Sequence, residues 1–341
     1  MIKVRVVKPG TRITKWTFIH IDPRDEDAVV GAMGNFVNFM QGMGVAIESR
    51  SIVPNGVSAS TRGNLVGNLR QAFAKLKQQD PQFVFIVLPR QDTQIYNVVK
   101  SLGDVEFGYH TVCVVRKNLL KDRNEQFFAN VALKVNLKMG GANHKLRDDV
   151  SIIKNGKTMV VGYDVTHPTN LSGNTDNLPS LVGIVASVDK DLGQWPATAW
   201  AQAGRVEMLD ENLETKFVER LRLWQKHNQN RLPENIVIFR DGVSEGQFSQ
   251  VLDKELPHIR AACKSTYPAN NQPKISIIVS VKRHQTRFYP TDKDHMTNSR
   301  NISNGTVVDR GVTQANIWDF FLTAHQALQG KSYTSAQCSE L

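Results

Sequence analysis

A chain of 341 residues, 40% apolar and 22% charged, can bury a sizeable core and exceeds the usual length of one compact domain, so two domains are expected. No apolar run approaches the ~20 residues that span a bilayer, and the charged first 20 residues are not expected to form a signal peptide; a cytoplasmic monomer is expected. Cys113, Cys263 and Cys338 are too far apart for a zinc motif or a disulfide framework, while the net charge of +10 is the excess that a polyphosphate partner requires, because each neutralised phosphate releases condensed counterions.

The first third alternates strand and helix signals. Residues 17–21 read as a strand, 25–43 as a helix, 45–53 as a strand and 64–77 as a helix. The continuously apolar run 83–88 ends at Pro89, as a buried parallel strand does. A helix follows from Thr93, with Asp92 placed to cap it. Residues 112–115 make another strand. A last helix, 126–139, carries Phe128, Val131, Ala132, Val135 and Met139 on one face and stops at Gly140-Gly141.

A second alternating unit starts near Thr158, with strands at 158–163, 181–188, 197–202, 236–239 and 275–281. Leu213, Phe217, Leu221 and Trp224 form one helical stripe. Residues 320–328 read as an apolar helix ending, followed by a polar segment, 331–341, with no final strand. The domain boundary falls in the polar stretch 140–156, and the pattern as a whole predicts an α/β class.

Two aspartates follow apolar strands: Asp164 after 159–163 and Asp241 after 236–240. A carboxylate at the carboxyl end of an α/β strand points into the crevice where ligands bind. Two that converge suit Mg²⁺, which takes oxygen ligands and keeps waters for substrate phosphates. The competing reading is that each Asp only caps the turn after its strand. In the first unit, Tyr96 and Lys100 share a helix face, as do Lys134 and Lys138. Lysines neutralise a terminal phosphate while an aromatic ring stacks on a base, although lysine pairs at this spacing are also common on a solvated face.

Gly162-Tyr163-Asp164-Val165-Thr166-His167-Pro168 and Arg240-Asp241-Gly242-Val243-Ser244-Glu245-Gly246-Gln247-Phe248 resemble the two signature segments of the eukaryotic Argonaute PIWI domain. Lys282-Arg283-His284-Gln285-Thr286-Arg287 and Gly305-Thr306-Val307-Val308-Asp309 resemble further segments of it, in the same order. Tyr96-Asn97-Val98-Val99-Lys100 and Leu133-Lys134-Val135-Asn136-Leu137-Lys138-Met139-Gly140-Gly141 are similar to Argonaute MID segments.

The resemblance implies a Rossmann-like MID domain over 1–140 and an RNase H-like PIWI domain over 141–341. It implies a guide-RNA 5′ pocket with Tyr96 on the base, Lys100, Lys134 and Lys138 on phosphate, and Thr111 or His110 where the family often has a Gln before Cys113. The loop 90–94 takes the position that discriminates the first base. A catalytic set of Asp164, Glu207 and Asp241 is implied, with Mg²⁺ (or Mn²⁺) on the two aspartates. Glu211 and Glu214 are alternatives to Glu207 under a small shift, and Glu245 is expected only to start a helix. Lys282, Arg283 and Arg287 are expected on the nucleic-acid backbone. No segment matches the family's fourth catalytic residue near the C-terminus.

The implied function is small-RNA-guided silencing with a 5′-phosphorylated guide, a complementary target RNA and other silencing proteins as partners. The rivals are a non-cleaving Argonaute that recruits partners and another RNase H-like nuclease, such as an integrase or resolvase, which would lack the Tyr96/Lys100/Lys134/Lys138 pocket.

Overall fold

The computed structural model describes residues 5–121, 124–147, 150–168, 178–282, 284–314, 317–325 and 337–340. The chain divides into two compact units, Met1–Leu146 and Arg147–Leu341.

In the first unit four parallel strands, β1 (Trp16–Ile21), β2 (Val57–Ala59), β3 (Phe83–Leu88) and β4 (His110–Val115), lie in the order β2-β1-β3-β4. β1 and β3 are buried at every position. Their side chains alternate between faces: Phe83, Phe85 and Val87 join one cluster with Phe36 and Val131, while Val84, Ile86 and Leu88 join another with Phe73 and Val99. A fully apolar strand covered by helices on both faces is the mark of a parallel sheet. The longer helices among the described residues are Glu26–Gly42, Leu65–Lys75, Thr93–Lys100 and Glu125–Lys138.

The expected strand at 45–53 is not there. Val45 and Ile47 are buried, but this segment meets the chain at the isolated Ile13–Ile47 bridge, flanked by Ile13 N–H to Ala46 O (2.8 Å) and Glu48 N–H to Ile13 O (2.9 Å). Polar Ser49 to Ser51 interrupt the apolar run, and the paired strand forms only after the turn at Gly56, whose φ of 68° suits glycine.

The second unit holds β5 (Thr158–Thr166), β6 (Ser180–Ala186), β7 (Ala197–Gln202), β8 (Asn235–Asp241), β9 (Lys274–Val281), β10 (Val307–Val308), β11 (Trp318–Leu322) and β12 (Gln337–Glu340). Their order is β10-β11-β12-β9-β8-β5-β6-β7. The central β5, β8 and β9 are parallel, and the flanking pairs are antiparallel. The helix Asn212–His227 lays Leu213, Phe217, Leu221 and Trp224 onto this sheet's core, joined by Ile259 and Ala262 of the helix Leu256–Thr266.

Two expectations for the C-terminal part are corrected. Residues 318–322 form a strand rather than part of a helix ending, and 337–340 form a strand between β9 and β11 where none was expected. In β11 the burial alternates along Trp318-Asp319-Phe320-Phe321-Leu322 with Asp319 and Phe321 inward, a period of two that bulky aromatics favour over helix. A third difference matters for the site. β5 runs on to Thr166, so Asp164 lies inside a strand, opposite Gly183 of β6, rather than after one.

Candidate functional site

In the first unit the cation cluster is built where the helix Thr93–Lys100 passes into a wider helical turn, Ser101–Phe107. Asp92 caps the helix by accepting the Ile95 N–H (3.1 Å) and also pairs with Arg90 (3.0 Å). Tyr96 is exposed, and Lys100 Nζ stands 5.8 Å from its ring centroid. Lys100 Nζ donates to Thr111 Oγ1 (2.8 Å) and Thr111 O (3.1 Å). Thr111 itself is fully buried, so it positions Lys100 instead of facing a ligand. Gly103 makes the approach possible, because a Cβ there would lie 2.6 Å from Thr111 Cγ2.

Lys138, on the helix Glu125–Lys138, joins this group. Desolvation of its ammonium, and then the Lys100 charge, lower its pKa. Burial and then Lys138 lower that of His110. Burial pushes the Cys113 thiol up to about 11, so it is inert at neutral pH. Lys138 thus feels the Lys100 charge and His110 feels that of Lys138, with Asp104 as the opposing charge on both. Like charges this close are stabilised by an anion. Of the two candidates before Cys113, His110 is exposed and Thr111 is committed to Lys100. Lys134 lies one turn before Lys138, exposed and without an ion pair among the described residues.

In the second unit the register sets Tyr163 of β5 opposite Arg240 of β8. The next residues, Asp164 and Asp241, therefore emerge side by side at the same edge of neighbouring parallel strands. Asp164 Oδ1 accepts the Val165 N–H (2.8 Å). Asp241 pairs with Lys282 Nζ, just past β9. Glu207 arrives from the segment after β7. His167 Nε2 meets Glu207 Oε2 at 2.8 Å, and Arg240 Nη1 donates to Glu207 Oε1 (3.0 Å). His167 Nδ1 in turn meets Ser180 Oγ at 2.8 Å. Gly242, at φ +89°, marks the meeting point: a Cβ there would lie 3.2 Å from Asp164 Oδ1 and 3.4 Å from Glu207 Oε1.

The other glutamates lie elsewhere. Glu211 precedes the helix Asn212–His227 and Glu214 sits in its first turn. Glu245 opens a short helical turn, exposed, which suits the dipole there. Among the described residues, no three His, Cys, Asp or Glu side chains are grouped closely enough to hold one ion by themselves. Asp164 and Asp241 are instead a two-carboxylate pair, a donor set that fits Mg²⁺ when phosphate oxygens and water complete its octahedron. Of the residues expected on a nucleic-acid backbone, Lys282 stands at the site and Arg283 lies outside the described residues. Arg287 donates to His284 O (2.7 Å) and Thr286 O (2.8 Å), organising its own loop.

Beneath the carboxylates lies a buried network that sequence reasoning missed. Arg240 and Glu255 are both fully buried and paired at 3.0 Å. Burial alone would lower the Arg240 pKa, but Glu255 keeps it raised. Tyr163 donates to Glu255 (3.1 Å), and burial and then that carboxylate raise its pKa. A signal for Arg240 exists: Ile236, Ile238 and Arg240 share a parity in β8, which puts the guanidinium on the core face and demands a partner. Glu255, 15 residues on in a helical turn, carries no such signal.

Residues 83–336 match the family model described as the Piwi domain. Argonaute-2 of Drosophila melanogaster is 31% identical over 96% of the chain, and argonaute 10 of Arabidopsis thaliana 35% identical over 76% of it. The chain belongs to the eukaryotic Argonaute family. It spans only 26% and 28% of those two relatives. Among solved structures, the MID-PIWI domains of Argonaute QDE-2 from N. crassa are 44% identical, with a TM-score of 0.70 over 81% of this chain and 76% of that one. Kluyveromyces polysporus Argonaute, solved with a guide RNA, is 28% identical, with a TM-score of 0.82 over 98% of this chain and 42% of that one. This chain is accordingly an Argonaute MID-PIWI lobe, and its two α/β units have the fold class expected from the sequence.

Proposed function

We propose that residues 1–140 of this Argonaute lobe bind the 5′-phosphorylated end of a small guide RNA, and that residues 141–341 carry the endoribonuclease site for the paired target RNA, in cytoplasmic small-RNA-guided silencing. The observation that carries the nuclease reading is the convergence of Asp164 and Asp241 from adjacent strands with Glu207 held beside Gly242. Asp164 and Asp241 would hold Mg²⁺ or Mn²⁺. Such an ion, when bound, would lower the pKa of a coordinated water and neutralise charge on a leaving oxygen. Arg240 and His167 orient the Glu207 carboxylate toward the same point. Lys282, beside Asp241, offers an ammonium to the phosphodiester.

The test is cleavage of a complementary RNA by the full-length protein loaded with a 5′-phosphorylated guide, with Mg²⁺ and with EDTA. Cleavage in Mg²⁺ alone supports the reading. Stable target binding without cleavage in Mg²⁺ or Mn²⁺ would move this protein to the class that acts by recruiting other silencing proteins.

The exposed Tyr96 ring supports a stacking contact to the first guide base. Tyr96→Ala is expected to lose roughly 1–3 kcal/mol of guide affinity, and Tyr96→Phe little, as measured by filter binding. Equal losses from both variants would assign the contact to the hydroxyl.

A further inference from the structure

We infer that Glu255 is a positioning residue whose charge keeps Glu207 available to a divalent cation. The inference rests on the reading of Asp164, Glu207 and Asp241 as the metal-dependent site. Arg240 is one cation facing two carboxylates. It presents Nε (3.1 Å, to Oε2) and Nη2 (3.0 Å, to Oε1) to Glu255, a two-bond edge contact, and gives Glu207 Oε1 one bond from Nη1 (3.0 Å). Paired guanidinium–carboxylate bonds of this kind are the stronger and more directional. Arg240 Nη2 also donates to the Glu207 backbone carbonyl (2.7 Å). The guanidinium thereby fixes where Glu207 sits while Glu255 absorbs its charge, and the Glu207 carboxylate remains an anion for the ion.

The placement of Glu255 supports more than a pairing role. Its carboxylate accepts the Tyr163 hydroxyl (3.1 Å), one residue before Asp164. It accepts the Leu209 N–H (3.1 Å), two residues after Glu207. Arg240, its ionic partner, is one residue before Asp241. A single fully buried carboxylate therefore touches each segment that bears a proposed site acid. It stands at the end of the wide helical turn Val251–Glu255, a form often found at functional sites. Without the Glu255 charge, the only carboxylate left to Arg240 in this network is Glu207, which would be neutralised there.

The test is Mn²⁺ binding to the chain, followed by the paramagnetic signal of the free ion, with folding checked by circular dichroism. Glu255→Gln, which keeps shape but removes charge, is expected to weaken Mn²⁺ binding about tenfold or more at the low effective dielectric of a part-buried site. Glu255→Asp keeps the charge and is expected to stay within about threefold of wild type even where its melting temperature falls. The double variant Arg240→Gln/Glu255→Gln removes both charges and should bind Mn²⁺ more tightly than Glu255→Gln, though short of wild type because Glu207 loses the guanidinium that holds it. A merely structural role predicts a double variant no better than Glu255→Gln, and that result would overturn the inference. So would unchanged binding in Glu255→Gln, or an equal loss in Glu255→Asp. If Glu255→Gln does not fold, the other two variants decide: binding weakened about tenfold in both overturns it. Absence of Mn²⁺ binding in wild type would overturn the site reading together with this inference, whereas wild-type binding abolished by Asp164→Ala keeps the two separable.

Discussion

Asp164→Ala or Asp241→Ala in the full-length protein is expected to slow cleavage of a guide-paired RNA by about 10³-fold or more, since metal assistance supplies several kcal/mol of transition-state stabilisation. Guide binding should be unchanged, because both residues belong to the second unit and the Lys100–Lys138 cluster to the first. The two carboxylates stand at adjacent strand positions and would hold one ion between them. Neither is expected to replace the other. Glu207→Ala should also impair cleavage; a normal rate in that variant would shift its role to Glu211, Glu214 or Glu245. Single-turnover cleavage in Mg²⁺ is the measurement, and full cleavage by Asp164→Ala would remove the metal-site assignment.

The second large effect concerns the guide end. Wild type should prefer a 5′-phosphorylated RNA to the same RNA with a 5′ hydroxyl, and Lys100→Ala/Lys138→Ala should abolish most of that preference. Charge-assisted hydrogen bonds contribute ~1.5–3 kcal/mol each, so the paired loss is about 10²-fold or more. The crowding that depresses the Lys138 pKa, burial first and Lys100 next, disfavours its charged form in the empty pocket. An incoming phosphate relieves it. As pH rises through that lowered pKa, Lys138 loses its proton and the 5′-phosphate preference should decline, at a lower pH than an ordinary lysine would give. Lys134→Ala, one helical turn from the Lys100–Lys138 pair, is expected to change the preference less. Equal binding of the two RNAs by wild type would show that the pocket is misassigned.

Much of this was open to reading in the linear chain because it depends on short-range chemistry. The all-apolar run 83–88, the Asp92 cap and the Leu213–Phe217–Leu221–Trp224 stripe are local patterns, and the structure has each of them. The signature segments around Asp164 and Asp241 were equally local. The misreadings came where local pattern and tertiary pairing diverge. Residues 45–53 are apolar enough for a strand but find one isolated bridge instead of a ladder. The aromatic run 318–322 and the polar residues 337–340 became strands because β9 offered an edge for pairing.

By itself the sequence determined two α/β units, lysines paired at helical spacing and an aspartate beside each of two apolar runs, since composition, periodicity and contiguous motifs need no partner from elsewhere in the chain. Only the tertiary structure decided that Glu207 is the glutamate beside Asp164, that Thr111 serves Lys100 from a buried position, and that Glu255 underlies the three acids. Each of those depends on side chains from separate elements brought within hydrogen-bond range. Nothing in residue spacing encodes those distances; the packing of separate elements does, as the parallel register of β5 against β8 does for Tyr163 and Arg240.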